Sequence, residues 1–219
     1  STPAKLRSNA GKSFEGSKIY GGGFIFEDDS PASSPLSVME EILGKYPQCR
    51  PYIQAYVGGE QVNNQPVFKV ERYVINFGEM TEAQARVYKP IWNILEAKVK
   101  PDRFSVEEGQ NLEDKRSKYP RMVNEWWKYW NSRTELYKAI SSSQRVLVAN
   151  RAAAKFLTFS FVPNGCVYAD SLYVFSDQTF AHFAVIQSRI HEVWARMFGT
   201  SLEDRLRYTG TTCYENFPF

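Results

Sequence analysis

"RVLVANRAAAKFLTFSFVPNGCVYADSLYVF", residues 145–175, holds three runs rich in β-branched and aromatic residues: Arg145–Asn150, Lys155–Pro163 and Ser171–Phe175. Runs of this composition bounded by small and polar residues predict strands. Directly after them the period changes. From Asp177 to Phe198 the apolar residues Phe183, Ile186, Ile190, Trp194 and Met197 recur at helical spacing, and Gly199 ends the pattern. Strands feeding an amphipathic helix predict an α+β fold rather than an all-β one.

The upstream sequence repeats the mixture. "KIYGGGFIF" (Lys18–Phe26) and "FKVERYVINFG" (Phe68–Gly78) read as strands, the first with glycines at a bend or close backbone approach. "SPLSVMEEILG" predicts a helix capped by Ser34, with Pro35 at its first position and Leu36, Met39, Ile42 and Leu43 facing inward. Thr81–Lys100 reads as helical on either side of Pro90, Glu107–Tyr119 as a polar helix or loop, and "EWWKYW" leads into a helix through "RTELYKAI". The expectation is a mixed sheet with packed helices in a single domain over residues 18–219, after a flexible linker of residues 1–17. There is no internal repeat or low-complexity tract.

A chain of 219 residues with 43% apolar content can bury a sizeable core. No run approaches the roughly 18 uninterrupted apolar residues of a membrane span, and the N-terminus lacks the apolar block of a signal peptide, so no membrane partner is expected. Cys49, Cys166 and Cys213 are far apart and form no CxxC pair, which argues against a disulfide framework or a structural zinc site and suits a reducing cytoplasm.

The net charge of +3 is unevenly spread: residues 86–155 carry fifteen basic and eight acidic residues, a local +7. Such a segment is a candidate polyanion-binding surface, and a solvated helical face is the alternative. Its phosphate-contact candidates are Lys98, Lys100, Arg103, Lys118, Arg121, Arg133, Arg151 and Lys155, with Lys115, Arg116 and Arg145 beside them. Trp126, Trp127 and Trp130 crowd one short stretch; they read as core anchors, the alternative being stacking on unpaired bases.

Catalytic signals are weak. His182 and His191 are nine residues apart, about 900° of helical rotation, which on one helix places them on opposite faces. His191 reads as a packing or hydrogen-bonding residue. "YGGGF" lacks the helix cap and Lys-Ser/Thr of a phosphate cradle. Glu96, Lys98 and Asp102 stand in reversed order for a nuclease, and no serine sits in a nucleophile elbow. No catalytic residue and no metal ligand is expected.

The closing stretch "SLEDRLRYTGTTCYENFPF" (residues 201–219) spaces Glu203, Arg205 and Arg207 two apart, so an extended chain projects all three from one face and Leu202, Asp204 and Leu206 from the other. An arginine can contact guanine O6 and N7 together, and a carboxylate accepts from the cytosine amino group. A surface ladder of ion pairs is the alternative.

"GGGFIF", "YPQCRPYIQAYVGGEQVNNQP", "VINFGEM", "AKVKPDR", "EWWKYWNSRTELYKAI", "AVIQSRIHEVWARMFG" and "LRYTGTTCYENFPF" occur in the order found in one family. From about Phe14 to Phe219 the chain resembles the target recognition region of type IIG/IIL single-chain restriction-modification enzymes and related N6-adenine DNA methyltransferases of phage defence. The resemblance implies sequence-specific recognition of double-stranded DNA, with Glu203, Arg205 and Arg207 at the positions that supply side chains to base edges. The family's Asn-Pro-Pro-Tyr/Phe motif is missing from this sequence. The resemblance therefore implies an excised, non-catalytic recognition domain. Its partner methyltransferase domain, in the same bacterial cytoplasmic polypeptide, would carry the S-adenosylmethionine. An alternative function is a protein-protein interaction module of the same defence system.

Overall fold

A computed structural model describes residues 8–64, 68–151, 156–202 and 205–219. The first half contains strand β1 (Ser13–Glu15), strand β2 (Ile25–Phe26), helix α1 (Leu36–Lys45), strand β3 (Ile53–Val57), helix α2 (Gly59–Asn64) and strand β4 (Tyr73–Ile75). Helices α3 (Glu82–Ala85), α4 (Lys89–Phe104), α5 (Leu112–Lys118), α6 (Pro120–Asn124) and α7 (Thr134–Ala139) follow. The last third contains β5 (Arg145–Asn150), β6 (Phe159–Pro163), β7 (Val167–Tyr168), β8 (Leu172–Phe175), helices α8 (Phe180–Ile186) and α9 (Arg189–Phe198), and strands β9 (Thr200–Leu202) and β10 (Arg205–Arg207). The fold is α+β.

The expected single domain divides into two compact units. One comprises the described residues within 8–16, 57–69 and 133–219, and the other residues 17–56 and 70–132. The first unit is built on the strand runs of residues 145–175, which form an antiparallel sheet in the order β1-β8-β5-β6. Leu147 pairs with Phe175 and Ala149 with Tyr173, so these four side chains share a face, and with Phe159 they join Ile186 of α8 and Ala195 of α9 in one apolar cluster. Residues 13–17 are therefore not linker. Ser13–Glu15 pairs with Phe175–Tyr173, and the buried Asn9 donates to the Phe217 carbonyl at 3.0 Å.

The second unit pairs β4 with both β2 and β3, antiparallel, and contains the long helix α4. Ile91, Trp92, Leu95 and Val99 form the buried stripe of that helix. Trp126 and Trp127 pack beside Trp92 at ring distances of 4.9 and 6.1 Å, and the Trp127 indole donates to the Met80 carbonyl at 3.1 Å. Both are core residues. The expected strand Lys18–Phe26 shrinks to β2 because Gly22–Phe24 forms a 3-10 turn laid against α4, where a Cβ on Gly23 would lie 2.7 Å from Lys98 Cβ.

Candidate nucleic-acid interface

The expected continuous helix over residues 177–198 is two helices. Thr179 caps α8 by accepting from the His182 amide, and Ser188 caps α9 by accepting from the His191 amide. At the break, Gln187 accepts from the Phe159 amide at 2.9 Å and donates to the Leu157 carbonyl at 3.2 Å, tying the helix pair to the strand edge. The break changes which residues face inward. His191 and Ala195 are the buried residues of α9, whereas Ile190 and Met197 of the expected core stripe are 75% and 76% exposed. His182 and His191 are both buried, so the opposite-face reading fails with the continuous helix.

After α9 the chain folds back at once. Antiparallel β9 and β10 place Arg205 opposite Leu202, Leu206 opposite Ser201 and Arg207 opposite Thr200. Strand alternation sends Leu206, 4% exposed, into the apolar cluster and leaves Arg205 and Arg207 exposed on the other face. The return needs a residue without a side chain at 199. A Cβ on Gly199 would lie 2.5 Å from the Ala195 carbonyl oxygen and 2.8 Å from Leu206 Cδ1.

Tyr208 continues the inward alternation. Its hydroxyl lies 3.0 Å from His191 Nε2, with both groups buried, and this bond joins α9 to the residue next to Arg207. Burial, reinforced by the charge of His182, lowers the His191 pKa to about 4, so the ring is neutral near neutral pH. Burial also pushes the Tyr208 phenol well up, so it keeps its proton. His182 pairs with the Tyr214 hydroxyl at 3.2 Å, and its pKa is lowered, first by burial. Arg205 and Arg207 thus stand on a short hairpin whose reverse face is pinned by Leu206 and Tyr208. Glu203, the third expected base reader, lies outside the described residues, as does Lys155.

The basic segment is divided at residue 133 between the two units. Most of its cations have partners. Lys98 donates to the Ser33 carbonyl; Lys100 lies 3.4 Å from Glu96; Arg121 lies 3.0 Å from Glu79; and Arg133 and Arg151 both pair with Glu15. Arg145 lies against the edge-to-face pair of Phe161 and Phe180, 4.1 and 4.3 Å from their ring centres. Lys118 is exposed, its ammonium 5.2 Å above the Tyr119 ring. Arg103 is not a surface cation: only 2% exposed, it donates from Nη2 to the Ile19 carbonyl at 2.8 Å. Among the described residues no group of three or more His, Cys, Asp or Glu side chains converges as a metal site, and no helix is long and apolar enough to cross a membrane.

The positioning pair His191–Tyr208 was not foreseen as a unit. Its sequence signal is the continuation of the Leu206 alternation to Tyr208, together with Ser188 as a cap that turns His191 inward. The family model for the MmeI target recognition domain matches residues 13–219. The chain belongs to the MmeI target recognition domain family. No curated protein sequence matches this recognition domain. Among solved structures it is similar to the type IIL restriction-modification enzyme MmeI, determined in complex with DNA, at a TM-score of 0.69 and 19% identity. The match covers 99% of this recognition domain and 25% of that chain, so the domain spans about a quarter of its structural relative. At that identity the likeness is one of fold.

Proposed function

We propose that this recognition domain reads a specific sequence in double-stranded DNA for a larger restriction-modification polypeptide, with Arg205 and Arg207 directed to base edges in the major groove. The observation carrying the proposal is the hairpin itself: two exposed arginines project from one face while Leu206 and Tyr208 hold the other face in the core. A guanidinium needs such a fixed base to make a bidentate contact with guanine. Glu203 is proposed to accept from the cytosine paired with the guanine that Arg205 reads, and Lys98, Lys100, Lys118, Arg121, Arg133, Arg151 and Lys155 to supply phosphate contacts. Arg103, being buried, drops out of the surface cations proposed to meet the duplex backbone. Adenine N6 methylation, with S-adenosylmethionine in a separate domain of a cytoplasmic parent, completes the proposal.

Selection from a random duplex library by the purified domain tests it. A recurrent motif should be enriched, Arg205→Ala should relax one position, and Arg207→Ala should relax another one strand step, about 6–7 Å, along the groove. An unchanged motif in the double variant refutes base readout by this face. The exposed Ile190, Val193 and Met197 of α9 favour the alternative, a protein-contact module. Salt separates the two readings, since phosphate neutralisation makes log affinity fall linearly with log salt and an apolar contact does not.

A further inference from the structure

The stripe Ile91, Leu95, Val99 of α4 continues at the next i+4 position with Arg103. Its guanidinium is buried where the helical period asks for an apolar side chain. Nη2 has the Ile19 carbonyl, but Nε and Nη1 have no hydrogen-bond partner. The rings of Phe24 and Tyr20 lie 5.9 and 5.7 Å from its centre. Burial lowers its pKa to about 10, so near neutral pH it remains a cation with unmet donors. A buried charge with unsatisfied N–H groups destabilises a fold unless something completes it.

Arg103 lines a cavity of about 860 Å³ that lies wholly within the second unit. That volume suits a small organic ligand. Tyr119 and Trp130, edge-to-face with ring centres 5.5 Å apart, also line it, as does Gln110. The ring that stands over the guanidinium belongs to a strained residue. Tyr20 has φ 58° and Gly21, which follows it, φ 127°; a bulky aromatic rarely adopts the left-handed region, and here it is 69% exposed.

The charges around the cavity discriminate between ligands. Arg103, Lys115 and Lys118 are balanced by Asp102, Glu107 and Asp114. A bare anion meets as many carboxylates as cations there. A ligand with an anionic end and amino donors at the other satisfies both sets, and one with a flat ring also stacks on Trp130 or Tyr119. We propose that this cavity binds a single nucleotide unit, its phosphate on Arg103 once Tyr20 swings aside and its base against Trp130 and Tyr119. A guanidinium fork matches phosphate geometry, and the carboxylates and Gln110 match the polar edge of a base. The nucleotide is either free or an unpaired residue at the end of a DNA strand. The site does not depend on the hairpin reading.

The test uses the whole chain, with four probes: dAMP, inorganic phosphate, a blunt duplex, and the same duplex with one unpaired 5′-phosphorylated deoxyadenosine. The Arg103 Nε–H resonance, assigned through Arg103→Lys, reports directly on the unpartnered donor. Saturable movement of this resonance by dAMP is expected, together with a response to inorganic phosphate weaker by about tenfold or more. Arg103→Gln should weaken dAMP binding by a similar factor, and if that variant does not fold, the wild-type resonance still decides. Movement by the overhang duplex but not the blunt one identifies a strand end as the source; movement by dAMP alone identifies a free nucleotide. The proposal is overturned if dAMP leaves the resonance in place, if phosphate alone does as well as dAMP, or if a folded Arg103→Gln binds dAMP normally. Relaxed selection at one base pair by Arg205→Ala with dAMP binding intact separates this site from the hairpin.

Discussion

Acidification will destabilise the hairpin mount through His191. In the unfolded chain this imidazole takes up a proton as the pH falls through about 6.5, its unperturbed value. In the fold it stays neutral until about pH 4, because the protonated ring would be desolvated. Between those values the unfolded state binds more protons, so stability rises with pH across the window and is lost as pH falls from 6.5 toward 4. The gap corresponds to about 3 kcal/mol in full and about 2 kcal/mol by pH 5. His182, lowered for the same first reason, acts in the same direction. Asp177 and Glu79 have lowered pKa values as well, so their contributions disappear only in the more acidic carboxylate range. Urea unfolding at pH 7.5, 6 and 5 should show a falling midpoint in the wild type. His191→Gln removes the titration and retains a hydrogen-bonding group toward Tyr208, so its loss between pH 7.5 and 5 should be smaller by about 2 kcal/mol. If the variant loses as much as the wild type, His191 does not control this window.

Gly199→Ala should cost about 1–3 kcal/mol in denaturant unfolding, because its Cβ meets a carbonyl oxygen and Leu206 with no backbone strain to relieve, φ being −76°. Arg205→Ala and Arg207→Ala, both at exposed positions, should each leave unfolding within about 0.5 kcal/mol while removing about 1–3 kcal/mol of discrimination at one base pair, measured by competition between duplexes. Lys118→Glu should weaken DNA binding for all sequences alike and reduce the salt slope by about 1. In a full-length relative carrying this domain, exchanging the charges by Glu203→Lys with Arg205→Asp should reverse one C·G pair of the methylated motif; an active enzyme with an unchanged motif refutes the pairing.

The strands were legible where composition alone decides them. Val146, Leu147, Val148 and Ala149 are all buried, and β5 begins and ends with its run. The division of the last helix was less visible, because periodicity registers a stripe and passes over a cap: Ser188 carries the signal, and the rotation it introduces moves His191 into the core and Ile190 out of it. Chain order also concealed the two units, since each collects discontinuous segments. Charge misled at Arg103 for a related reason. Counting cations along residues 86–155 treats every one as surface, whereas the spacing of Leu95, Val99 and Arg103 places the third on the buried face of α4. Alternation served best at the C-terminus, where Arg205, Leu206 and Arg207 fall on the expected sides of β10.

That last agreement bears on how a recognition surface can vary. In a strand of period two, the residues that hold the hairpin and those that face outward are neighbours in sequence yet do not share an environment. Leu206 and Tyr208 are tied to α9 and the sheet through burial, a hydrogen bond and the close approach at Gly199. Arg205 and Arg207 are exposed. Replacing an outward residue changes an exposed group without opening a cavity or stranding a buried polar atom, whereas replacing Leu206 opens a cavity and replacing Tyr208 leaves His191 Nε2 without its partner. Leu206→Ala should therefore cost about 2–5 kcal/mol of stability and weaken binding to every sequence, because both arginines lose their mount together. Substitutions at 205 and 207 should instead redistribute affinity among sequences at constant stability. A Leu206→Ala domain that remained stable and kept its preferred motif would show that the arginines are positioned by something other than the buried face of their own strand.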